Sequence, residues 1–420
     1  MADNQGPRPD VIVIGAGLAG LACAGDLCGA GLSVEVLEAS DAAGGRMRTD
    51  RQDGFLLDRG FQVFNTSYPQ VKRRVRLRDL SLRPFTPGAL VHTPSGRLRF
   101  TDPTRRPGAA ADLLPGRLAP ARDLLALGLL SLRDMFGPVG PLKRRADRTT
   151  LTALADAGIS EGLTEEFFRP FLSGVLLEDE LETSSRFFHL VWRSMLRGTL
   201  CLPAAGIGAV PAQLAQGLPP GVLHLGTPVR ALTGSGVGLQ DGTGREAAAV
   251  VVATGARAAA ALLPGLDVPP GRTVTTYYHA AAASPLREPT LLVDRQRRFL
   301  NTCVLSEVAP PYAPAGRSLI STSLLGRDLP GREEGLREDL ADVYGTRTAT
   351  WELLAARTIE DALPAMLPPW PLSRTSRTAP GRYVCGDHRA TGSVQGALAS
   401  GARAAREVLE DLGRRSRSRA

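Results

Sequence analysis

Residues 10–38 read DVIVIGAGLAGLACAGDLCGAGLSVEVLE, and this stretch decides the fold. The apolar, β-branched run at residues 11–14 is typical of a buried parallel strand, and a second such run follows at residues 33–37. Between them, residues 15–20 have the glycine spacing GxGxxG and open a helix rich in small residues. This order of strand, glycine turn, helix and strand predicts a dinucleotide-binding βαβ unit, with a pyrophosphate at the helix N-terminus.

Two features after this unit indicate which dinucleotide binds. Glu38 ends the second strand, where a carboxylate accepts hydrogen bonds from ribose hydroxyls and disfavours the 2′-phosphate of NADP. Gly44, Gly45 and Arg46 follow shortly after. Two adjacent glycines with an arginine suit a backbone that passes close to a phosphate-bearing cofactor, and this segment favours FAD over NAD.

A second set of small residues lies near the C-terminal end of the chain. A predicted strand at residues 382–385 leads into a turn at Gly386 and Asp387, and a helix of small residues begins near Ser393. The amides and dipole of that helix would stabilise negative charge at the pyrimidine edge of a reduced flavin. Asp387 is expected to hold the ribityl chain.

Motifs from both ends of the chain resemble the flavin-containing amine oxidase superfamily, which includes protoporphyrinogen oxidases and phytoene desaturase-type enzymes. The terminal motifs are IGAGLAGL (14–21), LEAS (37–40), GGRMRT (44–49), VCGD (384–387) and GSVQGALASG (392–401). Residues 202–211, 226–232 and 250–255 also resemble family segments, although Ala205 replaces a family glycine. The resemblance implies FAD, held non-covalently because no segment matches the family's flavin-linking cysteine.

The local patterns and the resemblance together predict one set of FAD-binding residues. They are Gly15, Gly17, Leu18, Ala19, Gly20, Glu38, Ala39, Gly44, Gly45, Arg46, Gly60, Val229, Ala253, Gly386, Asp387, Ser393, Val394 and Ala397.

The resemblance implies an α/β fold in which a Rossmann-like, GR2-type FAD-binding domain carries an inserted α+β substrate domain. The FAD-binding domain is expected at residues 1–75, 200–260 and 350–413, and the substrate domain at residues 76–199 and 261–349. Residues 414–420 are expected to form a disordered basic tail. Apolar runs predict further strands at residues 222–225, 248–253, 290–293 and 319–323, and a last helix at residues 393–412.

The sequence assigns no catalytic residue. Tyr278, His388 and Trp370 are candidates, and ordinary structural roles remain open for all three. Amine oxidases of the superfamily often use a lysine to hold a water near the flavin, but Lys72 and Lys143 lie in no matching segment. No metal-ligand cluster, hydrolase elbow or phosphate-transfer motif is present in the sequence, so no metal is predicted.

Composition narrows the class of protein further. The 420 residues contain no apolar run long enough to cross a bilayer, and the five cysteines form no CxxC pair. These features predict a cytoplasmic protein of a reducing compartment. Residues 71–150 carry a local charge of +11 and residues 413–420 carry +4, so that subtracting them from the net charge of +8 leaves −7 for the rest.

The basic region contains a leucine-rich stretch at residues 119–136. It is too short to span a bilayer, and it predicts either a buried helix or a helix lying on an anionic membrane surface at the inner membrane face. Nucleic acid is a poorer partner, because aromatic residues are not interleaved with the basic ones.

These observations predict an FAD-dependent oxidoreductase that removes a hydride from a largely apolar small molecule, with O₂ or another electron acceptor. Desaturation or isomerisation of a lipophilic polyene is the favoured reaction. Oxidation of an amine is the alternative within the class, and a non-catalytic flavin-binding protein is the alternative outside it.

Overall fold

A computed structural model describes residues 8–101, 105 and 119–413 of the chain. Its strands are β1 (Val11–Ile14), β2 (Val34–Leu37), β3 (Thr49–Gln52), β4 (Phe55–Asp58), β5 (Phe64–Asn65), β6 (Leu82–Pro84), β7 (Gly88–Thr93), β8 (Gly96–Thr101), β9 (Leu200–Pro203), β10 (Leu223–His224), β11 (Val229–Leu232), β12 (Gly236–Leu239), β13 (Gly244–Glu246), β14 (Ala249–Val252), β15 (Gly271–Ala281), β16 (Leu292–Asp294), β17 (Asn301–Val304), β18 (Ser318–Leu325), β19 (Glu352–Pro364), β20 (Arg377–Ala379) and β21 (Arg382–Val384).

The helices are α1 (Leu18–Gly29), α2 (Pro69–Arg74), α3 (Ala121–Phe136), α4 (Val139–Arg144), α5 (Thr150–Asp156), α6 (Glu161–Leu163), α7 (Arg169–Leu176), α8 (Ser185–Arg197), α9 (Ala209–Gln216), α10 (Ala256–Leu262), α11 (Leu305–Val308), α12 (Arg332–Tyr344) and α13 (Val394–Asp411). The strands and helices predicted from the sequence are present within about two residues of their predicted bounds. The leucine-rich stretch at residues 119–136 forms α3, as expected of a helix. The predicted tail at residues 414–420 lies outside the described residues.

A six-stranded sheet forms the first layer, in the order β10-β2-β1-β14-β21-β20. The first five strands are parallel and β20 is antiparallel. The strands read as apolar runs because helices α1 and α13 cover one face of the sheet, while β12 and α10 cover the other. This is the Rossmann-like part of the predicted α/β fold.

Helices α1 and α13 approach each other closely because both are rich in small residues. A Cβ atom added at Gly401 would lie 2.1 Å from the carbonyl oxygen of Ala19, and one added at Gly20 would lie 1.9 Å from that of Gly15. The glycines therefore fix how near the last helix and the first turn lie to α1.

A seven-stranded sheet forms the second layer, in the order β19-β15-β18-β17-β16-β7-β8. Helix α12 packs on one face of it, and helices α3, α5, α7 and α8 pack together beside β7 and β8. The cluster around α8 contains several aromatic rings. Phe167 contacts Phe168, and Trp192 contacts both Phe168 and Phe188.

The sheets divide the chain differently from the predicted boundaries at two places. The boundary at residue 350 assigns β19 to the FAD-binding domain, whereas β19 pairs with β15 along most of its length in the second sheet. The boundary at residue 260 falls inside α10. Neither position is marked by a change in composition, because strand pairing between distant segments decides where these elements belong.

Gly401 provides a test of the close helix contact. Gly401→Ala is expected to lower stability by about 1–3 kcal/mol, because its methyl group meets backbone that has no room to move. The matched control is Gly128→Ala in α3, where an added Cβ meets nothing within 4 Å. That change is expected to raise stability by about 0.5–1 kcal/mol through helix propensity. Thermal unfolding midpoints of the two variants check the opposite signs, and an unchanged or higher midpoint for Gly401→Ala would contradict the contact.

Candidate functional site

A cavity of about 790 Å³ lies where the carboxyl ends of β1, β2 and β14 face the seven-stranded sheet. Ligands of open α/β sheets bind at this edge. The cavity wall contains every residue predicted to bind FAD except Gly20. Gly20 instead packs against the backbone of Gly15, so its part is to let helix and strand close up.

The N-terminus of α1 opens onto this cavity. Gly15 has a φ of +100°, a conformation that favours glycine, and no side chain caps the helix. An added Cβ at Gly17 would meet no protein atom within 4 Å, and Gly17 lines the cavity. The first amides of the helix and a bare backbone therefore face a space that suits a pyrophosphate.

Glu38 stands at the end of β2 and organises the same turn. One carboxylate oxygen accepts a hydrogen bond of 2.7 Å from the amide of Ala16, and the other accepts from the amide and hydroxyl of Ser40. A carboxylate has further lone pairs after these contacts, which suits the predicted contact with ribose hydroxyls.

Arg46 joins both ends of the chain at the cavity. Its guanidinium lies 2.7 Å from the carboxylate of Asp387 and donates to the carbonyl oxygen of Ala362 at 2.8 Å, at the end of β19. The Asp387 carboxylate raises the pKa of Arg46 above its usual value. Sequence reasoning placed a cofactor phosphate near Arg46 but missed this ion pair.

The C-terminal motif supplies a second helix N-terminus. Ser393 caps α13, its hydroxyl accepting from the amide of Gly396 at 3.0 Å, and the Ser400 hydroxyl accepts from the amide of Gly386 at 3.1 Å. Gly386, Asp387 and Ser393 all line the cavity. The geometry of these segments fits FAD, whereas the individual contacts with it remain predictions.

None of the three candidate catalytic residues lies on the cavity wall. Tyr278 is fully buried and its hydroxyl donates to the carbonyl oxygen of Asp58, while the indole of Trp370 donates to that of Ala390. Both side chains hold segments together. His388 is buried with no hydrogen-bond partner on either ring nitrogen among the described residues, and this burial lowers its pKa to about 4.

The rest of the wall is mainly apolar and was not predicted from the sequence. It includes Phe61, Val63, Phe85, Phe171, Val175, Leu177, Phe187, Val191, Met195, Leu200, Leu291 and Leu363. These residues come from loops, from α7 and α8 and from strands far apart in the chain, so no local pattern marks them.

Two residue types with known roles in flavin enzymes are missing from the wall. Lys72 and Lys143, the two lysines of the chain, are both exposed on α2 and α4. No cysteine of the chain lines the cavity. Three or more His, Cys, Asp or Glu residues nowhere come together as a metal site within the described part of the chain.

The sequence model of the family described as "Flavin containing amine oxidoreductase" matches residues 18–409. The chain belongs to the flavin-containing amine oxidoreductase family. It is an oxidoreductase, and its cofactor is FAD, as predicted.

The curated relatives differ in how much of this chain, and of their own length, the similarity covers. The L-amino-acid oxidase of Crotalus adamanteus is 41% identical over 76 residues, which are 18% of this chain and 15% of that protein. The hydroxysqualene dehydroxylase of Rhodopseudomonas palustris is 29% identical over 453 residues, covering 95% of this chain and 98% of the relative. The similarity to the first is confined to a short segment, and the similarity to the second extends over nearly the full length of both chains.

A solved structure supports the fold. The putative protoporphyrinogen oxidase from Exiguobacterium sp. 255-15 matches with a TM-score of 0.69 and 17% identity, over 96% of this chain and 98% of that one. Together with the family match, this confirms the predicted α/β fold class.

Gly17 tests the cofactor site. Gly17→Val is expected to leave the fold intact, because a Cβ atom at this position meets no protein atom within 4 Å. It is expected to weaken FAD binding by about tenfold or more by filling the space at the helix N-terminus. Gly25→Ala, on the exposed side of α1, is the matched control. FAD affinity is measured by titrating the apoprotein. Equal affinity of Gly17→Val and the wild type would exclude a phosphate at this turn.

Proposed function

We propose that this family member transfers a hydride between FAD and a largely apolar substrate, by desaturation or isomerisation of a lipophilic polyene. Bound FAD supplies the hydride acceptor and passes electrons to O₂ or another acceptor. The chain's own residues bind and orient the substrate and exclude water. One observation carries this proposal, namely the apolar wall of the cavity beyond the FAD-binding segments.

The positions of the charged side chains also distinguish the FAD-binding part of the wall from its apolar part. These side chains are Glu38, Arg46, Arg59, Arg230 and Asp387. Each is a predicted FAD-binding residue or is adjacent to one in the sequence, so the charge is concentrated on the FAD-binding segments. A hydrocarbon that packs against the remaining wall gains roughly 25 cal/mol for each Å² of apolar surface that is removed from water.

Amine oxidation is the alternative within the family. The L-amino-acid oxidase similarity favours it, but that similarity covers a short segment. An ammonium group taken into an apolar cavity needs a carboxylate or a hydrogen-bonded partner, because an unpaired buried charge is strongly unfavourable. No additional carboxylate lines the described wall outside the FAD-binding segments. The full-length relative is instead named for hydroxysqualene, a lipophilic molecule.

Anaerobic reduction of the FAD-loaded enzyme tests the substrate class without assuming an electron acceptor. Squalene and phytoene in detergent are compared with hexylamine, benzylamine and L-leucine. We expect loss of the oxidised flavin spectrum, or an isomerised product, with a polyene and neither change with the amines. Reduction by the amines alone would overturn the proposal in favour of amine oxidation.

We further propose that α3 binds an anionic lipid surface. No described helix is long and apolar enough to cross a membrane. However, Leu125, Leu129, Leu132 and Phe136 are each between 54% and 73% exposed, and their spacing puts them along one side of α3. A continuous exposed apolar stripe of this kind is typical of an interaction surface.

The charges around α3 favour an anionic partner. Its two acids, Asp123 and Asp134, are fully buried, and they bond to Ser160 and His189 respectively. Arg122 is exposed at the start of the helix, and the exposed cations Lys143, Arg144 and Arg145 follow in the chain. Apolar side chains beside cations, with the acids turned inward, suit a helix lying in the headgroup region.

Helix α8 connects this surface to the cavity. Trp192 of α8 donates to the hydroxyl of Ser131 on α3 at 3.2 Å, and Arg193 donates to the carbonyl oxygen of Asp134. Val191 and Met195 of α8 line the cavity. A substrate dissolved in the bilayer would therefore be separated from the cavity by one pair of helices.

Flotation with vesicles tests the lipid surface. We expect binding to phosphatidylglycerol vesicles at low salt, weaker binding at high salt, and little binding to phosphatidylcholine. Leu129→Glu is expected to weaken binding by about tenfold or more. The matched control is Leu329→Glu, which changes a similarly exposed leucine outside α3. Equal flotation of both variants and the wild type, or concentration-dependent dimers that are lost in Leu129→Glu, would contradict lipid binding.

A further inference from the structure

Two polar side chains near the connection between β5 and α2 face the cavity. Asn65 ends β5, Tyr68 immediately precedes α2, and both residues line the cavity. The amide of Gln70 donates a hydrogen bond of 2.9 Å to the side-chain oxygen of Gln395, in the first turn of α13. The segment is therefore attached to the helix whose N-terminus is expected to lie at the pyrimidine edge of the flavin.

The ring of Tyr68 packs on the FAD-binding side of the cavity. It contacts an apolar cluster that includes Leu18, the first residue of α1, and Leu398 of α13. Val394 and Ala397, which are both predicted FAD-binding residues, pack against the same cluster. Tyr68 therefore shares its packing with the starts of the two helices that face the cavity.

The hydroxyl group of Tyr68 is a donor without a partner. It bonds to no described residue, and it keeps accessible surface. The hydroxyl lies deep in the protein although the side chain is partly exposed, so the exposed surface faces the cavity and not the exterior. Burial raises the pKa of Tyr68 to about 12, and the hydroxyl consequently keeps its proton and can donate it in a hydrogen bond.

Asn65 provides a second donor. Its Oδ1 atom accepts from the amide of Ser67 at 2.8 Å, and this bond identifies which end of the side-chain amide is the oxygen. Its Nδ2 group has no partner in the described part of the chain and keeps accessible surface, although Asn65 is only 4% exposed. A buried N–H group without a partner is unfavourable, so a bound molecule is expected to accept from it.

Two donors without an acceptor select a ligand atom that has free lone pairs. A hydrocarbon offers none, and an ammonium ion brings only further donors. The pyrimidine edge of a flavin offers a carbonyl oxygen and a ring nitrogen, and it takes up one negative charge when two electrons and one proton arrive as a hydride. Because hydrogen bonds to a charged acceptor are roughly twice as strong as those to a neutral one, such donors stabilise the reduced flavin more than the oxidised flavin.

We infer that Tyr68 and Asn65 donate hydrogen bonds to the pyrimidine edge of FAD and raise its reduction potential. They act there together with the amides in the first turn of α13. A higher potential makes removal of a hydride from the substrate more favourable, whatever that substrate is. The inference depends on the FAD cofactor and goes beyond the proposed choice of substrate.

The reduction potential of the FAD-loaded protein tests this role without any substrate. It is measured by slow reduction in the presence of a reference dye. Tyr68→Phe keeps the ring and removes only the hydroxyl, and we expect it to weaken binding of reduced FAD about tenfold more than binding of oxidised FAD. For a two-electron couple this lowers the potential by about 30 mV. Asn65→Ser, which keeps a hydroxyl acceptor for the Ser67 amide and removes Nδ2, is expected to lower the potential in the same direction.

Tyr383→Phe is the matched control. The Tyr383 hydroxyl donates to Asp411 at the C-terminal end of α13, and Tyr383 is not part of the described cavity wall. Its loss is expected to leave the potential unchanged. An equal drop in Tyr383→Phe and Tyr68→Phe would overturn the inference, because the effect would not be specific to the cavity.

An unchanged potential in Tyr68→Phe would also overturn the inference, and two further measurements would then reassign the hydroxyl. Weaker binding of oxidised FAD would assign it to the phosphates, whose charge does not change on reduction. Weaker binding of a polyene would assign it to the substrate. Reduction of the flavin by polyenes tests the proposed function separately, and its result does not affect the potential.

Discussion

One ion pair joins the segments on which the site depends. Arg46 follows the first βαβ unit, Asp387 precedes the last helix, and the end of β19 belongs to the second sheet, yet one guanidinium bonds to all three. Because Arg46 lies 315 residues before Asp361 and 341 residues before Asp387, the contact fixes the FAD-binding layer against the seven-stranded sheet. The cavity is the space that remains between them.

That cavity combines two environments. Helix N-termini, bare glycine backbone and the charged side chains gather on the FAD-binding segments, whereas aromatic and aliphatic side chains cover the rest of the wall. Phosphates need donors and positive potential, and a lipophilic chain needs removal of water. The division suits a strongly polar cofactor held beside the apolar substrate that we propose.

Much of the FAD-binding part could be predicted from the sequence. Gly17, Glu38 and Ser393 belong to motifs whose spacing is set by a turn or a helix end, so the pattern is local. The residues of the apolar part of the cavity were harder to predict from the sequence. Tyr278 and Trp370 were candidate catalytic residues, but their polar atoms donate to backbone carbonyl oxygens away from the cavity. The pairing of β19 with β15 was equally hard to predict, because the two strands come from distant segments of the chain.

The sequence alone determined the βαβ unit, the family resemblance, the FAD cofactor and the concentration of basic residues in residues 71–150. Each follows from short-range spacing or from composition, which the chain carries before it folds. Only the tertiary structure decided that both acids of α3 turn inward while Leu125, Leu129 and Leu132 remain exposed. These outcomes depend on which surfaces become buried against each other, and burial is a property of the assembled layers.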